Sequence, residues 1–144
     1  MKKLILISVL LIAVNSCSQS SEKEQAEGSI AGTWQLVEER YGNFDGSSGN
    51  WEQIENGRLI TFNADLSYEP EITPSNCGEV NSSSYFLQNN SEMNILEITI
   101  ECTNPDTVFE SQDSYSFENS NYLILRPIEP ECPEGCAFKY KKLE

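Results

Sequence analysis

The sequence predicts an all-β fold: an antiparallel, up-and-down meander of about eight strands that closes into a barrel. Short segments of alternating apolar and polar residues recur between clusters of turn-forming residues. After Ser16 no stretch shows a long apolar stripe at helical spacing. The connections are mostly short, which makes sequential strands antiparallel neighbours, and a meander best removes its exposed edges by closing on itself.

The first segment is not part of that fold. Lys2 and Lys3 precede an apolar run from Leu4 to Val14 that only Ser8 interrupts. About eleven apolar residues are too few to cross a bilayer as a helix, which takes roughly 20. A basic start, a short apolar core and small residues at the cut make residues 1–16 a secretory signal peptide. Val14-Asn15-Ser16-Cys17 resembles the lipobox of bacterial lipoproteins. The resemblance implies cleavage between Ser16 and Cys17 and lipidation of the Cys17 thiol and amino group. Two or three acyl chains hold a protein durably, where one holds it marginally at about 0.8 kcal/mol per buried CH₂. Residues 17–29 follow as a polar, Glu-rich tether with too little apolar surface to offset the entropy of ordering. The expected location is the cell envelope, anchored by lipid to the outer membrane on its periplasmic or surface face.

Residues 30–144 form the one folded domain expected from this length. Trp34 and Leu36 share a face of the first strand, Ile60 and Phe62 of the second, and Tyr68 and Ile72 of the third. Tyr115 with Phe117, Leu123 with Leu125, and Phe138 with Tyr140 mark the last three. Asn63-Ala64-Asp65-Leu66 and Glu118-Asn119-Ser120-Asn121 read as hairpin turns. A short helix is expected over Gly49 to Asn56, on the weak pattern Trp51-Glu52-Gln53-Ile54.

The fourth and fifth strands form a hairpin whose register can be argued. With Asn89-Asn90 as a two-residue turn, which suits residues that tolerate positive φ, facing positions include Gln88 with Ser91 and Cys77 with Cys102. The cysteines then form a non-hydrogen-bonded pair with Cα atoms about 4.5 Å apart, within disulfide range. Tyr85, Leu87, Leu96, Ile98 and Ile100 fall on one face, with Phe86, Glu97, Thr99 and Glu101 on the other. A bulge would shift the register by one. Cys132 and Cys136 remain, closed into a local loop by Pro133 and Gly135. An even set of cysteines in an exported chain makes two disulfides the default. A metal site is disfavoured, since there are no paired C-x₂-C knuckles and no histidine.

The chain has 23 acidic and 9 basic residues, a net charge of −14. Loss of residues 1–16 removes two lysines and no acid, leaving the mature protein near −16. So acidic a surface argues against nucleic acid and against electrostatic adhesion to anionic lipid, and favours solubility or a cationic partner.

Two segments carry a further resemblance. Ile30-Ala31-Gly32-Thr33-Trp34-Gln35-Leu36 is similar to the G-x-W opening strand of lipocalins. The segment from Leu59 to Tyr68 resembles the second-to-third-strand hairpin of small bacterial lipocalin-like domains, which often follow a lipobox. The resemblance implies a calycin-like barrel with an apolar ligand site at its mouth. It also implies that a basic residue from a late strand, here Arg126, covers Trp34 by a cation–π contact.

Catalytic chemistry is hard to assemble from this sequence. The lack of histidine excludes Ser–His and Cys–His pairs, and carboxylates are too plentiful for any one pair to be informative. There is no phosphate-cradling glycine loop, and Asp45-Gly46-Ser47-Ser48-Gly49-Asn50 lacks EF-hand spacing. The expectation is a non-catalytic domain without cofactor, binding either a small apolar ligand or another envelope protein. Bulky rings at inward positions (Trp34, Phe62, Tyr68, Tyr85, Tyr115, Phe117, Phe138, Tyr140) favour an interior filled by side chains.

Overall fold

The structure is a computed structural model that describes residues 29–42, 49–70, 72–89, 91–103, 105–133 and 135–143. The signal peptide, the Ser16/Cys17 cleavage and lipidation site and most of the tether lie outside the described residues. The strands are β1 (Gly32–Arg40), β2 (Glu52–Gln53), β3 (Leu59–Phe62), β4 (Tyr68–Pro70), β5 (Val80–Asn89), β6 (Asn94–Thr103), β7 (Asp106–Glu118), β8 (Tyr122–Glu129) and β9 (Ala137–Lys142).

All pairings are antiparallel, and the order around the sheet is β4-β3-β1-β9-β8-β7-β6-β5, with β2 attached to β1 off this path. Apart from β2, this is chain order bent into a ring, with the first strand beside the last. The expected eight-strand, barrel-like meander is therefore present and nearly closed. Among the described residues its two ends share one isolated bridge, between Ser67 and Ser84, in place of a ladder. Around it Tyr85 N–H donates to Leu66 O at 3.0 Å and the Ser83 hydroxyl donates to Tyr68 O.

Alternation places one face of each strand of the ring inward. Trp34, Leu36, Ile60, Phe62, Tyr68, Tyr85, Leu96, Ile98, Ile100, Tyr115, Leu123, Leu125 and Tyr140 are buried in a single core, with Phe117 and Phe138 packed against it. The two expected hairpin turns lie between β3 and β4 and between β7 and β8. In the first, Asp65 accepts hydrogen bonds from the backbone and hydroxyl of Ser67, and Leu66 takes positive φ. In the second, Asn119 takes positive φ and accepts from Asn121 N–H.

Four expectations are corrected. Ile72 does not continue the third strand and is 65% exposed, because β4 stops at Pro70, which lacks a ladder donor. The segment 49–56 is not helical: Glu52–Gln53 form a short strand on β1, and a turn with Asn56 at positive φ follows. The β5–β6 turn is longer than two residues, since Asn89 pairs with Asn94 and the connection runs over 90–93. Tyr85 accordingly faces Ile98 and Leu87 faces Leu96. The slip from the expected register is even, so each side chain keeps its face.

The fourth correction concerns Cys77, which lies in the loop before β5. A bulge at Val80/Ser82 places Val80 opposite Cys102. The Cys77–Cys102 disulfide nevertheless forms, with Cα atoms 5.4 Å apart, and ties the β4–β5 connection to the end of β6. Cys132 and Cys136 are bonded to each other across the β8–β9 connection.

Candidate functional site

Trp34 anchors one end of the barrel. It is fully buried, donates from Nε1 to Ile30 O at 2.7 Å and lies 6.1 Å from the Phe117 ring. The cation over its ring belongs to Lys142, with Nζ 5.1 Å from the centroid and 3.2 Å from Ser29 O. Lys142 faces Trp34 directly in the β1–β9 pairing. Gly32 makes this approach feasible: its φ is +133°, and a Cβ there would stand 2.8 Å from Lys142 Cε. The role expected of Arg126 is thus filled from the final strand. Arg126 lies one residue past inward-facing Leu125, so alternation sends it to the outer wall, where Nη1 donates to Ser116 Oγ at 3.2 Å.

The barrel interior holds a polar group that the sequence reading missed. Arg58 immediately precedes β3 and shares the inward parity of Ile60 and Phe62. Its Nε donates to Tyr140 Oη at 3.2 Å, and its guanidinium lies 5.1 Å from the Phe138 ring centroid. Asp113 shares the parity of Tyr115 and Phe117 and faces fully buried Leu96 across the β6–β7 pairing. Burial pushes the Asp113 carboxyl up to about 6, with the Arg58 charge pulling the other way. Burial also raises Tyr68 and Tyr140, and both feel the same Asp113 and Arg58 charges. Arg58, Tyr68, Asp113 and Tyr140 thus lie near enough inside the barrel to feel one another's charge, with Arg58 and Tyr140 in direct contact. A bulge between Leu36 and Glu38 turns Glu39 to the face of Phe138, bringing a second carboxylate near the edge of this group.

The signal for these residues was available in the sequence. Arg58 and Asp113 are charged residues two positions from a run of alternating inward positions. Charge alone made them look like surface residues, although alternation placed them inside.

A guanidinium, two phenols and a carboxyl that is easily protonated can donate and accept hydrogen bonds to one polar head, while the surrounding rings cover an apolar body. Among the described residues no group of three or more metal-ligating side chains is present. No family model matches the chain, and no curated protein or solved structure matches it significantly.

Proposed function

We propose that the protein is a lipid-anchored, non-catalytic binding module whose barrel holds a small, mainly apolar molecule bearing one hydrogen-bonding group. The observation that carries this reading is Asp113, an inward, half-buried carboxyl whose proton affinity burial raises. An interior built only for packing gains nothing from that cost, whereas a ligand-binding interior uses it to orient a polar head. The anchoring half of the proposal rests on Lys2, Lys3, the apolar run to Val14 and the lipobox-like residues at Cys17.

A second reading has support of its own. The rings of Phe62, Tyr68 and Tyr85 pack with centroids 5.0 to 5.3 Å apart across the interior, as a side-chain-filled barrel would have them. The protein would then be a structural or protein-interaction module of the envelope. Native mass spectrometry of the purified chain separates the two, combined with saturable displacement of a polarity-sensitive fluorophore. A retained small molecule whose binding weakens in Asp113→Asn supports the ligand reading. Failure to find saturable binding favours the filled barrel. For the anchor, metabolic palmitate labelling is expected to disappear in Cys17→Ala, and retained label would refute it.

A further inference from the structure

On this acidic chain, Arg40, Arg126, Lys139 and Lys141 collect on the outward face of β1, β8 and β9. Lys139 is neutralised by Glu38 at 2.7 Å and Glu118 at 3.0 Å. Arg40 and Arg126 form no ion pair among the described residues, although the protein carries 23 acidic residues.

The sheet register brings these two arginines together. Arg40 faces Ala137 in the β1–β9 pairing. Leu125 faces Phe138 in the β8–β9 pairing, so the next outward position beside Ala137 is Arg126. Arg126 in turn faces Ser114 on β7. Ala137 lies between the two positions on β9, with a small and fully buried side chain. Arg40 Nε is buried without a hydrogen-bond partner among the described residues, and its Cζ lies 4.8 Å from the Trp51 ring centroid. The Trp51 ring also receives Lys139 Nζ at 4.9 Å. Burial first, and then the Arg40 charge, lower the basicity of Arg126.

Two guanidiniums drawn partly out of water beside each other repel, and a counter-charge would relieve both costs. The Ser116 hydroxyl accepts from Arg126 Nη1 and keeps its own proton to donate. Donors are then available from three strands, β1, β8 and β7. A planar carboxylate offers two oxygens in one plane, whereas a tetrahedral anion offers oxygens in three or more directions. We propose that Arg40, Arg126 and Ser116 form a binding site for a tetrahedral oxyanion, phosphate or sulfate, on the outer wall of the barrel.

Trp51 supplies a built-in reporter. The full chain is titrated with sodium phosphate, sodium sulfate, glycerol phosphate and sodium acetate at constant ionic strength, reading tryptophan emission. A saturable response to phosphate or sulfate is expected, in the range of about 1 mM or tighter. It weakens about tenfold or more in Arg126→Gln and Arg40→Gln, as expected for charge-assisted hydrogen bonds. Lys141→Gln removes a charge from the same wall outside the row and leaves the response intact. Ser116→Ala, a milder change, weakens it a few-fold and serves if an arginine variant does not fold. An equal response to glycerol phosphate assigns the anion to phosphate esters, and a response to the inorganic ions alone assigns it to free oxyanions; both support the site. The proposal is overturned by no saturable response, by an undiminished one in Arg126→Gln or, should that variant not fold, in Ser116→Ala, or by acetate acting as strongly as phosphate.

Discussion

Arg58 and Tyr140 lie 82 residues apart in sequence and meet inside the barrel, where the guanidinium Nε donates to the phenol oxygen at 3.2 Å. The contact links the β3 and β9 sides of the wall through β1, which lies between them. Tyr140→Phe removes the acceptor and leaves a partly buried guanidinium donor unmet. A loss of about 1–3 kcal/mol in denaturant unfolding is expected. Arg58→Met keeps the apolar bulk and removes the charge, so it should cost less than Tyr140→Phe.

Asp113 predicts a definite pH dependence. Its folded carboxyl titrates near 6 against an ordinary value of 3.8, so the folded state binds the proton more tightly than the unfolded chain. The stability this group contributes is fully present below about pH 4 and is lost as pH rises through 6. Asp113→Asn should therefore be more stable than the wild type at pH 7–8, by about 2–3 kcal/mol at most, and should lose this part of the pH profile. A difference between the two proteins that stayed constant from pH 4 to 8 would refute the assignment.

At the Trp34 end, Lys142→Met removes the cation over the indole and should cost about 0.5–1 kcal/mol, with a change in Trp34 emission in a Trp51→Phe background. Arg126→Gln should leave Trp34 emission unchanged. Gly32→Ala places a side chain at a φ of +133° and against Lys142, with an expected cost of about 1–3 kcal/mol by thermal unfolding.

The two disulfides should contribute unequally. Cys77–Cys102 closes a span of 25 residues and Cys132–Cys136 a span of 4. On the chain-entropy account, removing the first pair costs about 3–4 kcal/mol and the second about 2 kcal/mol. Paired Cys→Ala substitutions followed by urea unfolding measure both.

Legibility in the sequence followed the physics of alternation. Trp34, Phe62, Leu96 and Leu123 could be placed inside because a period of two survives any even slip, and the β5–β6 register did slip evenly. The Cys77–Cys102 bond was found although its register was wrong, because a longer turn and a bulge brought Cys77 within reach from a loop. What alternation alone could not supply was the pairing of distant strands. Lys142 rather than Arg126 covers Trp34 because β9 closes against β1, and no local pattern near either residue encodes that neighbour. Arg58 and Asp113 were missed for the opposite reason: their positions were readable, and their charge argued them outward.

The meeting of β4 and β5 resembles a slit in a tube. Three-residue β4 covers only part of ten-residue β5, and the ring is joined here by one bridge where each other neighbouring pair shares a ladder. The cross-link from Cys77 to the end of β6 acts as a rivet at one end of the slit, limiting how far an opening can run. Tyr85 Oη, which donates to Asn63 O at 2.9 Å, is a weaker clasp that lies across it. Because the Ser67–Ser84 bridge already holds the stretch between rivet and clasp, any widening of the tube has to start beyond the clasp, where Phe86 to Asn89 pair only with β6 among the described residues.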